Sequence, residues 1–321
     1  MENTHHDEHP RDTTERTRLG QLLVERLSFR TEGRNALETA IPGLCFSRWE
    51  QPTEPASYTL GANVCLIAQG AKRVMLGEDA YVYDAQHFLV TSVDLPVVAQ
   101  ILQASPEQPY LGLMLELDQP LLAQLMVDSK LPAQAPRRID RGIGVSRLPL
   151  PVLKTVVRLI ELLDTPSDIP MLAPLIKQEL CYYLLTGPQG PRLRQMVMTG
   201  THGPQITQAI DWLKISFKQH YPMDELAERV NMSRSAFYQH FRAITSLSPL
   251  QYRKHLRLQE ARRLMVVDQM DATTAAFEVG YESPTQFNRE YRRLFGKPPA
   301  TDAASLRAVV NIRDEAAVLT G

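Results

Sequence analysis

The sequence predicts an α+β protein of two domains. An N-terminal antiparallel β-barrel with a helical hairpin is followed by a C-terminal all-α domain, in which a linker helix joins two helix-turn-helix motifs. Three observations carry this. Short apolar runs separated by turn residues fill residues 43–117, apolar faces of helical period begin at Leu148, and between Pro222 and Pro299 one helix-turn-helix pattern occurs twice, with Phe237 and Phe287 fifty residues apart.

Residues 1–18 are polar and aperiodic and read as a disordered tail. Its His5, His6 and His9 have no carboxylate or cysteine placed to complete a rigid metal geometry. The sensor domain is expected over residues 19–130. Leu19, Leu22, Leu23 and Leu27 have helical spacing, and six strands follow at residues 62–68, 73–76, 81–83, 88–90, 97–102 and 110–117. Gly77-Glu78-Asp79 is a hairpin loop and Asp84-Ala85-Gln86-His87 the next turn. Short strands at this spacing argue for a small antiparallel barrel or sandwich.

A helix is predicted from Pro120 to Val127 and a loop over residues 132–147, where Pro, Gly and basic residues show no period. Residues 131–186 carry the hairpin. Val152, Val156, Leu159, Ile160 and Leu163 line its first helix, and Leu172, Leu175, Ile176, Leu180, Tyr183 and Leu184 its second, with Asp164–Asp168 between them. The Gly/Pro density of Thr186–Pro191 marks a boundary, so residues 187–203 are read as a linker in which Arg192 and Arg194 face the following domain.

The C-terminal domain is expected over residues 204–300. In its first motif Leu226, Ala227 and Val230 form an apolar side behind acidic Asp224 and Glu225, Asn231 suits the turn, and Ser233 caps a second helix. Phe237 and Phe241, four apart, anchor that helix and leave Arg234, Ser235, Tyr238, Gln239 and Arg242 outward. The second motif repeats the plan with Asp271 as cap, Ala275, Ala276 and Val279 inward, and Gly280 at the turn. Ser283-Pro284-Thr285-Gln286 then combines an N-cap, a first-turn proline and a capping-box glutamine. Phe287 and Tyr291 anchor this helix, leaving Pro284, Thr285, Asn288, Arg289 and Arg292 outward. Pro249–Val267 reads as one helix holding the two motifs apart, and residues 301–321 as a tail without signal.

This stretch resembles the DNA-binding domain of AraC-type (AraC/XylS) transcription regulators. The residues that carry the resemblance are Ser233 to Phe241, Leu247-Ser248-Pro249-Leu250-Gln251-Tyr252, Arg257-Leu258-Gln259-Glu260-Ala261, Val279-Gly280-Tyr281-Glu282-Ser283 and Phe287 to Gly296. Three departures stand out. Ser246 occupies the usual Gly position, Ala275 that of a larger aliphatic, and no Tyr-Arg follows the final Pro pair. Ile41 to Asp118, through Ile41-Pro42-Gly43-Leu44, Gln69-Gly70-Ala71-Lys72-Arg73-Val74 and Ser92-Val93-Asp94-Leu95-Pro96-Val97, resembles the cupin-like N-terminal domain of one branch of that family.

The resemblance implies a regulator that binds promoter or operator duplex DNA, senses an unknown small-molecule effector or a stress signal through the barrel, dimerises through the hairpin, and engages RNA polymerase if it activates. It carries base contact onto Ser235, Tyr238, Gln239, Pro284, Thr285, Asn288 and Arg289. Arg pairs bidentately with guanine and Asn with adenine, so Arg289 and Asn288 are the foremost readers. Arg234, Arg242, Arg292 and the amides opening each helix are expected on phosphates.

Composition bounds the alternatives. At 321 residues, 44% hydrophobic and 22% charged, the chain is in the globular range. Residues 201–300 hold 14 Lys+Arg against 10 Asp+Glu, whereas the remainder holds 21 against 26, an asymmetry suited to a phosphate-facing module on an acidic sensor. No run of 18 apolar residues and no secretory core occurs at the start, so a cytoplasmic protein without membrane contact is expected. Cys45, Cys65 and Cys181 lack paired spacing, which leaves no disulfide framework or zinc site. An alternative reading makes Cys45 or Cys65 a sensor of thiol-reactive compounds, but no basic residues crowd Cys65 to lower its pKa. A metal cupin enzyme needs several histidines, whereas the barrel stretch has only His87, so no cofactor, metal or catalysis is expected.

Overall fold

A computed structural model describes residues 10–130, 140–198, 201–219 and 221–307. It divides into two compact units, one of residues up to Pro55 with Thr59–Pro204, the other of Ala56–Tyr58 with residues from Gln205 onward.

In the first unit, apart from the Ala56–Tyr58 part of β3, helix α1 (Pro10–Arg30) precedes strands β1 (Ala36–Glu38), β2 (Leu44–Trp49), β3 (Ala56–Leu60), β4 (Asn63–Gln69), β5 (Ala71–Leu76), β6 (Asp79–Asp84), β7 (His87–Thr91), β8 (Leu95–Gln103) and β9 (Tyr110–Glu116). Then come α2 (Gln119–Asp128), β10 (Ile143–Arg147), α3 (Leu150–Glu161), α4 (Ile169–Thr186) and α5 (Gly190–Val197). The strands make two sheets, of order β1-β2-β9-β4-β7-β10 and β3-β8-β5-β6. Contrary to the expected barrel, the sheets do not close on each other. Each keeps two edges, β1 and β10 in one, β3 and β6 in the other.

Alternation explains the layering. On β4, Val64 and Leu66 join Phe46, Phe88, Leu113 and Leu115 in a core shared with Leu19, Leu23 and Leu27 of α1 and the buried faces of α3 and α4. Cys65 and Ile67 therefore lie on the opposite face. Each fully buried Leu or Phe here contributes about 1.5–3 kcal/mol relative to exposure.

Four sequence expectations are corrected. Residues 10–18 belong to α1, because Arg16 donates to the Leu148 carbonyl at 2.6 Å and Lys154 pairs with Glu15 at 2.8 Å. The histidine cluster lies outside the described residues. The stretch read as a loop contains β10, whose Ile143 pairs with Thr91 and Arg147 with His87. A Cβ at its Gly144 would lie 2.2 Å from Nη1 of Arg192, so the arginine side chain would have to shift to admit one. The stretch read as a linker contains α5, which buries Leu193 and Met196. Arg192 donates to the Arg141 carbonyl at 2.5 Å and Arg194 to the Leu185 carbonyl, so both are engaged within their own unit. Finally, α4 is apolar on two faces. Ile169, Ala173, Ile176, Leu180, Cys181 and Leu184 are buried, whereas Leu172 (43% exposed) and Leu175 (59%) face outward with Met171 and Tyr182.

The second unit is helical. Helix α6 (Gly203–Ser216) leads into α7 (Met223–Arg229), α8 (Arg234–Thr245), α9 (Pro249–Val266), α10 (Ala272–Glu278) and α11 (Pro284–Phe295). Residues 299–307, which run into the stretch from 301 read from sequence as a tail without signal, are also helical and bury Ala303 beside Phe287 and Tyr291. The turn of the first motif has Asn231 at φ 53° and that of the second Gly280 at φ 85°. Ser246, at the family's usual Gly position, caps α8 at φ 60°, and Gly296 caps α11 at φ 77°. The left-handed serine costs on the order of 1–2 kcal/mol.

Candidate nucleic-acid interface

The interface is built from α8 and α11 on a frame supplied by α9. Ser233 accepts from the Ala236 amide at 3.3 Å and Ser283 from the Gln286 amide at 3.4 Å, so each reader starts on a side-chain cap. Phe237 and Phe241 are fully buried with ring centres 5.6 Å apart, and Phe241 meets Tyr252 of α9 edge-on at 5.5 Å. Phe287 and Tyr291 repeat the pin in α11, with centres 5.4 Å apart. Aromatic pairs of this geometry add about 0.5–1.5 kcal/mol beyond their area.

With the aromatics behind, the predicted readers lie in front. Ser235 and Gln239 are exposed on α8 with Tyr238 half-buried, and Thr285, Asn288 and Arg289 are exposed on α11 with Pro284 half-buried at its first turn. Asn288, Arg289 and Arg292 share one cleft of about 710 Å³ with Arg293, Ala272 and Pro298–Ala300. Arg293 escaped the sequence reading, although its spacing of four from Arg289 was an available signal.

Charge pairing distinguishes these cations from several of their neighbours. Lys218, Lys254, Arg262 and Arg263 are paired with Glu278, Glu290, Asp302 and Glu260 at 2.8–2.9 Å. Among the described residues Arg242, Arg289, Arg292 and Arg293 make no ion pair or side-chain hydrogen bond. Arg234 is engaged within its own motif. It pairs with Asp224 at 3.0 Å and lies 5.9 Å from the Tyr238 ring centre. Exposed pairs are worth about 0–1 kcal/mol, so a phosphate could displace Asp224 at little cost.

Arg257 bridges backbone segments on either side of α9. This buried side chain of α9 donates to the carbonyls of Phe217 (2.7 Å), Gly280 (2.9 Å), Lys218 and Gln219 (both 3.3 Å). It thereby ties the end of the α6 segment to the turn of the second motif. Gly280 permits this, because a Cβ there would sit 2.6 Å from the Lys218 carbonyl oxygen. A second pin joins α9 to α11, where Glu290 accepts from Lys254 and the Tyr281 hydroxyl, both at 2.8 Å.

The thiols are placed unfavourably for reactivity. Burial pushes Cys65 up to about 11, against a smaller opposing effect of Lys72. Cys45 is raised by burial and then by Glu38. Both pair with Met114, one from each side of β9. Two strand spacings, about 9.5 Å, separate their Cα atoms, beyond the roughly 7 Å limit for a disulfide. His87 bonds Asp84 at 2.8 Å, and no cluster of metal-ligating side chains occurs among the described residues.

Residues 40–192 match the family described as AraC-type transcriptional regulator N-terminus, and residues 226–304 match a helix-turn-helix domain. The chain belongs to the AraC/XylS family. Among curated AraC-type relatives, the HTH-type transcriptional regulator GbdR of Pseudomonas aeruginosa is 32% identical over 102 residues, 32% of this chain and 28% of that protein. ExsA of the same organism is 26% identical over 156 residues, 47% of this chain and 54% of that one. The chain thus spans between about a quarter and just over half the length of these relatives. ToxT from Vibrio cholerae shares the fold, with TM-score 0.52 at 8% identity over 85% of this chain and 98% of that one. Another ToxT structure, with a bound unsaturated fatty acid, has TM-score 0.52 at 9% identity and covers 83% and 97%.

Proposed function

We propose that the chain is a sequence-specific DNA-binding transcription regulator whose N-terminal unit responds to a small-molecule or stress signal. The unpaired arginines carry this reading. Lys218, Lys254, Arg262 and Arg263 of the helix-turn-helix frame are neutralised by carboxylates, whereas Arg242, Arg289, Arg292 and Arg293 on the reader helices are left for phosphates and bases. Two capped helices on one rigid support suit consecutive major-groove segments on one face of a duplex, about 34 Å apart. Arg289 and Asn288 read bases together with Ser235, Tyr238, Gln239, Pro284 and Thr285, while Arg234, Arg242, Arg292 and Arg293 hold the backbone. Arg289→Ala is expected to lower discrimination at one base pair by about 1–3 kcal/mol, and Arg242→Ala to weaken all sequences alike and flatten the salt dependence. Titrations over single-base variants of a selected operator check this. Equal losses at every variant for Arg289→Ala would remove its base contact.

The protein acts as a cytoplasmic homodimer, engaging RNA polymerase where it activates. The outward stripe of α4, Met171, Leu172, Leu175 and Tyr182, supports dimerisation, since an apolar stripe on a helix already packed on its other face calls for a second partner. Leu175→Glu is expected to halve the mass measured by light scattering at micromolar concentration. An unchanged dimer would place association elsewhere. Sensing through Cys45 or Cys65 has less support, because burial keeps both thiols protonated near neutral pH. We assign no catalytic role.

A further inference from the structure

The N-terminal unit contains a cleft of about 630 Å³ between the end of β9, the start of α2 and one flank of α4. Its volume is within the range of small-molecule sites. Leu115, Leu117, Leu121, Ile169 and Ala173 supply apolar wall, and both signs of charge are present, Lys177 from α4 and Glu116 and Asp118 from the β9–α2 junction.

These polar groups are only partly committed. Lys177 donates to the Pro42 carbonyl, which leaves two of its three N–H groups available. Burial pulls its pKa down while Cys181, Glu116 and Asp118 oppose the change, so the ammonium is held in a partly desolvated position. One Asp118 oxygen accepts the Leu121 amide at 3.0 Å, and the Glu116 carboxylate has no side-chain partner among the described residues. The α4 backbone adds an acceptor. Pro174 lies inside the helix and has no N–H, so the helical ladder offers the Pro170 carbonyl no donor, and both prolines line the cleft.

A bare organic acid would meet two carboxylates and an orphan carbonyl here, and a bare amine would meet Lys177. The geometry points to an amphipathic zwitterion, an α-amino acid with an apolar side chain, as the ligand of this cleft. Its carboxylate would sit on Lys177, its ammonium toward Glu116, Asp118 and the Pro170 carbonyl, and its side chain on the leucine and isoleucine wall. This deepens the regulatory reading by giving the effector a chemical class and a place. The cleft shares α4 with the outward apolar stripe, so occupancy would act on the helix that carries the dimer surface.

Calorimetric titration of the full chain with L-leucine, 4-methylpentanoate and 3-methylbutylamine separates the alternatives. L-Leucine is expected to bind one per chain and at least about tenfold more tightly than either truncated analogue, since each loses one charge-assisted contact. Lys177→Met should remove the preference of L-leucine over the amine, and Glu116→Gln its preference over the acid, with the thermal transition of each variant confirming the fold. Absence of L-leucine binding, tighter binding of either analogue, or affinities unchanged in both variants would overturn the assignment. Selection of duplex DNA by the same preparation keeps the two readings apart. Sequence-selective binding without L-leucine binding discards only the cleft, whereas L-leucine binding without any preferred duplex discards the regulatory reading.

Discussion

Replacing Arg257 by leucine is expected to shrink the stretch of operator that the protein protects from two helical turns to one. The guanidinium supplies hydrogen bonds to four main-chain carbonyls and forms no ion pair with a carboxylate among the described residues, so its role is to hold backbone segments in place. Removing it leaves four partly buried acceptors unpaired, at up to about 1–3 kcal/mol each before water relieves them, for an expected total of about 3–5 kcal/mol in stability. The aromatic pins of α8 and α11 do not include Arg257, so each reader keeps its own anchorage while their separation is released. Lysine at this position can make some of the bonds and is expected to recover part of the loss. Footprinting and urea unfolding on the same variants check both effects. Full two-turn protection by a stably folded Arg257→Leu protein would show that α9 alone sets the spacing.

The reader helices were legible because their determinants are local. A cap, a first-turn proline and two aromatics four apart lie within ten residues, and the structure places Ser283, Pro284, Phe287 and Tyr291 in those roles. Six strands were legible for the same reason, each being an apolar run between turn residues. β10 was not, because Ile143-Gly144-Val145 is held by pairing with β7, some fifty residues earlier, and by Gly144 admitting Arg192. The N-terminal part of α1 escaped because its stabilising contacts are single polar bonds to Leu148 and Lys154, which leave no period in the sequence.

The division of α4 into two apolar faces was hidden for another reason. Leu172 and Leu175 fit helical spacing as well as Ile176 and Leu180 do, and hydropathy alone cannot say which face meets the unit's own core. Arg257 marks a further limit. In the sequence it stood only as part of the Arg257-Leu258-Gln259-Glu260-Ala261 resemblance, and only the fold shows four carbonyls converging on it.

The helix over residues 299–307 is expected to be indispensable to the second motif, with Asp302→Ala as the sharpest test. Asp302 is 4% exposed and accepts both a two-pronged bond from Arg262, at 2.8 and 3.1 Å, and the Tyr291 hydroxyl at 2.7 Å. Because Tyr291 is also the rear pin of α11, loss of the carboxylate strands a buried hydroxyl and a largely buried guanidinium behind the reading face. Breaking a buried pair on one side costs about 3–5 kcal/mol. Asp268, paired with Arg263 at 3.2 Å on the surface, provides the contrast, and Asp268→Ala is expected to change stability by no more than about 0.5–1 kcal/mol. Guanidinium unfolding of the two variants compares them directly. Equal, small changes would mean that the helix after Pro299 rests against the motif without supporting it, and that the second reader is held by Phe287 and Glu290 alone.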